Sequence, residues 1–247
     1  MALITRLNYS PNFNSKKRIF KQIKFIIFHY TGMKNESDAI NRLTNIQSEV
    51  SCHYLIKNNG EIIKMVPDLY IAWHAGKSSW KNYRSLNQSS IGIEITNPGH
   101  KLDYKKFSKK QISSLLKISK FLIKKYRINP KNILGHSDIA PQRKKDPGEK
   151  FPWEHLSKNK IGIWHTLKKK ELINNRNLKI SKIEKSFFFN NLFKIGYSNK
   201  IPKNLSKMRY LTDVIKAFQR RFRQELISGK IDRECLLISK NLLKRYS

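Results

Sequence analysis

Short apolar runs broken by turn residues pattern the first two thirds of the chain, and helical spacing patterns the last third. Residues 24–29 (KFIIFH) place Phe25, Ile26, Ile27 and Phe28 in succession, which predicts a strand buried on both faces. Residues 54–66 (YLIKNNGEIIKMV) hold two strand-like runs around Asn58, Asn59 and Gly60. Glycine supplies the positive φ of a tight turn, so this segment predicts a β-hairpin. Residues 91–95 (IGIEI) alternate around Gly92 and Glu94, a strand that sets one carboxylate among apolar neighbours.

Ser108 and Gln111 have the spacing of a capping box, each side chain satisfying an amide of the other's backbone. Ile112, Leu115, Leu116, Ile118, Ser119 and Leu122 follow at three- and four-residue intervals and predict a helix with one buried face. It should end near residues 126–129, because Pro130 disfavours helical geometry in the residue before it. A short strand over residues 132–135 then delivers His136. Strands alternating with helices predict an α/β domain within residues 1–170, its ordered part over roughly 15–170. From Leu167 the chain turns polar, and residues 171–180 read as a linker. Helical patterns at residues 181–193, 212–227 and 232–246, with Thr212 and Asp232 placed as N-caps, predict a small three-helix domain over 181–247.

Composition adds limits. With 39% hydrophobic residues in 247, the chain is too apolar to stay disordered. Its longest apolar runs, residues 25–28 and 187–189, fall far short of the ~20 that cross a bilayer, so no transmembrane segment is expected. A net charge of +34 raises nucleic-acid binding as a function, but the lysines are spread along the chain instead of gathered in a stripe. Lys, Asn and Ile are abundant together, the pattern of an AT-biased genome. No specific nucleic-acid partner is expected; attraction to wall polymers or anionic membrane fits the charge better. The opening MALITRLN lacks a basic segment followed by an apolar stretch, so no secretory leader is visible. Taken alone that places the protein in the cytoplasm, or the leader is missing from this chain. Cys52 and Cys235 are too few for a disulfide framework and read as buried thiols. Protein partners and oligomeric state are not legible.

Four segments put polar residues at strand ends and in turns: His29-Tyr30-Thr31, the Glu94 strand, residues 135–141 (GHSDIAP) and residues 143–148 (RKKDPG). A catalytic zinc takes three N or O ligands and keeps one position open, and His29, His136 and Asp146 could supply such a set if the fold joins them. Each alone is weak, since a lone histidine is more often structural and an Asp before Pro-Gly more often forms a turn.

Together the segments IIFHYT, VSCHYLIKNNGEI, AWHAGKSSW, SIGIEI, GHSDIAPQRKKDPG and FPWEHL resemble the zinc-type N-acetylmuramoyl-L-alanine amidases, in the family's order over residues 15–156. The likeness is to the branch whose third ligand is Asp, which includes anhydromuropeptide and envelope lipoprotein amidases. It implies a mixed central sheet flanked by helices and hydrolysis of the amide between N-acetylmuramoyl, or its 1,6-anhydro form, and L-alanine. The peptidoglycan or muropeptide would be the only partner implied. It implies Zn2+ on His29, His136 and Asp146, Glu94 as general acid/base, and Lys144 as the group facing the oxyanion. Lys144 is preferred to Lys145 because it lies two residues before Asp146. Tyr30, Thr31, His74, Gly99 and Ala140 are the implied substrate contacts, with Trp73 beside His74 in the cleft and His53 structural. The segment AFQRRF with a downstream GKID resembles a three-helix peptidoglycan-binding module, which favours the envelope over the cytoplasm. A wall-recognition protein that has lost catalysis would be expected to lack a ligand, and here all three ligands and Glu94 are present.

Overall fold

A computed structural model describes residues 5–246; residues 1–4, on which the leader reading partly rests, lie outside the described residues. Six strands form the central sheet in the order β1 (Arg6–Leu7), β5 (Ile62–Lys64), β4 (Tyr54–Ile56), β9 (Ser90–Ile95), β3 (Phe25–Tyr30), β10 (Ile133–Gly135). The β4–β5 hairpin is the antiparallel pair, and the other neighbours run parallel, so the sheet is mixed as expected. Two small ribbons flank it: β2 (Phe13–Asn14) with β6 (Ile71–Ala72), and β7 (Ser79–Trp80) with β8 (Tyr83–Arg84).

The alternation of side chains sorts β3 into two cores. Ile26 and Phe28 join Ile91, Ile93 and Ile133 beneath Leu115, Ile118 and Leu122 of helix α2 (Lys109–Tyr126). The α2 capping box is formed as predicted, and Gln111 reaches further, its Nε2 donating to Thr96 O at 2.7 Å. The start of α2 is thereby stitched to the end of β9, beside Glu94.

Phe25 and Ile27 face the other way. They join Trp80, Leu134, Ile139 and Ala140, together with residues of α6 (Lys182–Ile195), α7 (Lys207–Phe222) and α8 (Arg233–Tyr246). Burying a phenylalanine such as Phe188 or Phe218 here is worth about 2–3 kcal/mol, and several are buried in one continuous cluster. The three C-terminal helices therefore cover the second face of the sheet. The stretch expected as a polar linker is ordered: α5 (Lys169–Asn175) buries Leu172, Ile180 is buried, and Arg176 pairs with Glu234 at 2.8 Å.

Two helix starts show how local signals compete. Asp232 caps α8, its Oδ1 accepting from Cys235 N at 3.0 Å. Thr212 does not cap α7. It lies inside that helix with its hydroxyl donating back to Met208 O, and Ser206 is the cap, accepting from Arg209 N. Helix α1 (Glu36–Thr44), capped by Asn35, and the short α3 (His136–Ile139) and α4 (Trp153–Lys158) complete the fold. Cys52 and Cys235 are both buried and unbridged. Among the described residues no helix is long and apolar enough to cross a membrane.

Candidate metal centre and active site

Strands β9, β3 and β10 lie side by side and parallel, so their carboxyl ends open into one crevice, the place where open α/β sheets bind ligands. His29 is the fifth residue of β3 and pairs in register with Glu94 of β9, which puts both side chains on one face at the same height. Gly135 ends β10 opposite Phe28, and His136 follows it at the start of α3. Asp146 arrives from the loop after α3, where Ser137 N donates to Asp146 O at 2.8 Å and ties the two ligand-bearing segments together. A Cβ on Gly135 would stand 2.6 Å from Pro147 Cδ, so the close approach of these segments requires glycine there.

Three atoms meet. His29 Nδ1 and His136 Nδ1 are 2.9 Å apart, and each is 3.0 Å from Asp146 Oδ2. Among the described residues these three form the group close enough to hold one ion. All three side chains are buried, at 1%, 2% and 6% exposure. Ligands of a tetrahedral zinc with ~2.0–2.1 Å bonds stand ~3.3 Å apart, so the triangle needs only slight opening to fit.

The outer nitrogens show which way the lone pairs point. His136 Nε2 faces the carbonyl of Ala75 at 3.1 Å, an acceptor only, so it carries the proton and Nδ1 is free to ligate. Ser90 Oγ donates to Leu86 O at 2.6 Å, which leaves it to accept from His74 Nε2 at 3.2 Å. His74 Nδ1 then accepts from His29 Nε2 at 3.0 Å, and His29 Nδ1 also presents its lone pair to the cluster. Burial and the neighbouring His136 push His29 down to about 4, against the pull of Asp146, so the imidazole is neutral at pH 7. Burial alone would raise the Asp146 carboxyl, but His136 and His29 beside it hold it well below the usual carboxylate range. His29 and Asp146 are thus each in the protonation state that ligates a metal.

Glu94 differs. Burial, with the Asp146 charge adding to it, pushes its carboxyl up to about 8, and the Lys144 ammonium pulls the other way. Its Oε2 is enclosed and has no hydrogen-bond partner among the described residues. Lys144 also weighs on His29, so its charge lies beside both groups, whereas Lys145 is exposed at the rim. The two carboxylates Asp146 and Glu94 are therefore driven apart, one ionised and one poised to carry a proton.

The cleft over this cluster has a volume of about 410 Å³. Tyr30, Thr31, His74, Gly99 and Lys144 line it. His74 is buried and serves mainly to back His29. It lies flat on β9 because Gly92 has no side chain; a Cβ there would come 2.4 Å from His74 Cγ. Ala140 does not line the cleft. Its methyl is in the core at 0% exposure, and its carbonyl accepts from the Arg143 and Lys144 amides, which shapes the loop under Lys144. Trp73 is outside it too, its Nε1 donating to Asn14. His53 is structural: Nδ1 accepts from Gly92 N, and Nε2 faces Tyr70 O.

The cleft also contains residues the sequence did not flag. Arg42 of α1, His100 and Lys101 line it, and Tyr30 OH bonds His100 Nδ1 at 2.9 Å. Arg143 clamps the neighbouring loop, its guanidinium donating to the Ala75 and Lys77 carbonyls. Arg143 stands in the quoted GHSDIAPQRKKDPG segment, so its place near His136 and Asp146 was visible while its contact was not.

The family described as N-acetylmuramoyl-L-alanine amidase matches residues 19–149. The N-acetylmuramoyl-L-alanine amidase AmiD of Escherichia coli K12 is 35% identical over 239 residues, covering 92% of this chain and 84% of that protein. The E. coli 1,6-anhydro-N-acetylmuramyl-L-alanine amidase AmpD is 41% identical over 104 residues, 42% of this chain and 55% of that protein. The solved complex of E. coli AmiD with anhydro-N-acetylmuramic acid-L-Ala-D-gamma-Glu-L-Lys superposes with a TM-score of 0.79 at 34% identity, covering 94% of this chain and 93% of that one. AmpDh3 of Pseudomonas aeruginosa gives the same TM-score at 28% identity, covering 96% of this chain and 97% of that one.

Proposed function

The chain belongs to the N-acetylmuramoyl-L-alanine amidase family and hydrolyses the bond between N-acetylmuramoyl and L-alanine, and from that premise we propose that zinc held by His29, His136 and Asp146 serves the reaction. The observation that carries this reading is the triangle of Nδ1, Nδ1 and Oδ2 atoms at 2.9–3.0 Å with Glu94 in register beside it. Two imidazoles and a carboxylate are the donor set of a catalytic zinc site, which would keep one position for water or substrate. Bound there, zinc supplies Lewis acidity toward the scissile carbonyl and an acidified water.

The remaining work falls to the chain itself. Glu94 takes a proton from the attacking water and returns it to the leaving amine of L-alanine, a role that needs a carboxyl tuned toward neutral pH. Lys144 places an ammonium at the cleft wall, where it meets the negative charge that grows on the carbonyl oxygen. His74 and the Ala75 carbonyl hold the two imidazoles in one tautomer and one orientation. Thr31, Gly99 and His100 border the cleft and are the proposed contacts for the glycan and the peptide stem.

Mass spectrometry of digests tests this. Zinc-loaded protein given anhydromuropeptides or intact sacculi should release peptides that begin with a free L-alanine amine, and chelator-treated protein should release none until zinc is restored. Cleavage at another bond, or unchanged cleavage after chelation, would contradict it.

A further inference from the structure

We propose that the C-terminal helices are part of how the metal centre is built: Arg221 and Tyr197 are positioning residues that hold the His136 turn through Asp138. The inference rests on the reading of His136 as a metal ligand. Helix α3 carries His136 but has only four residues, far too short to be stable by its own hydrogen bonds. Something outside it must hold it in place.

Asp138, 1% exposed, lies two residues after His136. Its Oδ2 accepts from Gly135 N at 2.8 Å, closing the turn around the ligand. The same oxygen accepts from Arg221 Nη1 at 2.6 Å, and Oδ1 accepts from Tyr197 OH at 2.8 Å. Tyr197 follows the end of α6 and Arg221 lies in the last turn of α7, so both partners come from beyond the α/β unit. Arg221 also donates through Nη2 to Ile133 O at 2.9 Å, at the start of β10. One guanidinium therefore grips the chain on both sides of His136, at Ile133 before it and at Asp138 after it. The planar fork of arginine allows this, and the single ammonium of a lysine would not. The ring of Trp153 lies 4.3 Å from the guanidinium and fixes its plane.

The neighbouring Arg220 reaches the other rim of the site. Its Nε is 3.9 Å from Glu149, whose carboxylate bonds His100 Nε2 at 2.9 Å, and His100 in turn bonds Tyr30 of the cleft. Consecutive arginines of α7 thus touch the metal-ligand turn and, by way of Glu149 and His100, back the cleft wall. A ligand must be held to within ~0.5 Å to serve its metal, and here the support is a buried ion pair between segments 83 residues apart.

Zinc dissociation constants of the full chain, from competition with a chromophoric chelator, test this. Near-UV circular dichroism and the melting temperature of each zinc-free variant show whether it folds. The variants are Tyr197→Phe, Arg221→Lys, and Arg221→Met combined with Asp138→Asn, which leaves no buried charge unpaired. The double variant should stay folded and lose about tenfold in zinc affinity, as expected when a group that orients a ligand is removed. Arg221→Lys should recover part of that loss, and the visible spectrum of the cobalt-loaded double variant should shift. Tyr197→Phe, which removes one hydroxyl and no charge, should lose a few-fold in affinity, and it decides the matter alone if the double variant does not fold. Folded variants with wild-type zinc affinity and an unchanged cobalt spectrum would overturn the inference. A wild-type chain that binds no zinc would instead sink the metal reading on which it rests.

Discussion

Asp146→Ala should bind zinc more than ~100-fold more weakly than the wild-type chain and cleave muropeptides at background rate. The expected loss exceeds the 10–100-fold usual for a partner that only orients a ligand, because Asp146 Oδ2 is one corner of the donor triangle itself. It would also be the only member of the proposed ligand set with a negative charge, since His29 is neutral at pH 7 and the carboxylate is held ionised. Without it, two imidazoles remain, a poor set for a dication. The backbone of the loop should survive, because Ser137 N bonds the Asp146 carbonyl, which alanine retains. Metal content after dialysis against a weak chelator, with circular dichroism as the control for folding, checks this. A folded Asp146→Ala chain that kept one zinc per molecule would remove Asp146 from the ligand set.

The second large effect is chemical instead of structural. Glu94→Gln should keep zinc within a few-fold of wild type and lower kcat by about 10²–10⁴, the range for loss of a general acid/base. Gln has nearly the shape of Glu, stays on β9 in register with His29, and cannot move the proton. The same substitution has a stability signature in the metal-free chain. The Glu94 pKa is raised in the fold from 4.5 to about 8, so its contribution is fully present below pH 4.5, where both states are protonated. It is lost as pH rises to about 8, because the unfolded chain has by then released a proton that the fold still holds. Wild-type stability relative to Glu94→Gln should therefore fall by a few kcal/mol between those limits, read from denaturant midpoints at several pH values. A flat difference would mean that the carboxyl is not desolvated, and full turnover by Glu94→Gln would mean that the proton travels elsewhere.

Much of the α/β unit was legible because its signals are local. The apolar run before His29, the hairpin at Gly60 and the Ser108–Gln111 box are each decided within a few residues, and all three appear where expected. The three residues that meet in the candidate metal site could be proposed from the sequence for a different reason: GHSDIAPQRKKDPG is long enough to be specific, although nothing in it tells where His29 will lie. Helix α1 escaped notice because only Ala39 and Leu43 turn inward, too sparse a stripe to read. Helix α5 looked like a linker because its charges, Lys169 and Arg176 at its end, are spent on distant partners, Glu225 in the turn after α7 and Glu234 of α8. Ala140 was assigned to the cleft by its place in the motif, and only the fold shows that its carbonyl, not its methyl, shapes the site. The clamp of Arg221 and Tyr197 on Asp138 joins residues 83 and 59 positions apart, and no periodicity carries such a pairing.

Anomalous diffraction from crystals grown with zinc, recorded on both sides of the zinc absorption edge, would locate the ion that His29, His136 and Asp146 are proposed to hold. A single strong peak is expected, bonded to His29 Nδ1, His136 Nδ1 and Asp146 Oδ2 and beside Glu94 at the foot of the cleft. A peak held by other side chains, or none at this triangle in crystals of active protein, would contradict it.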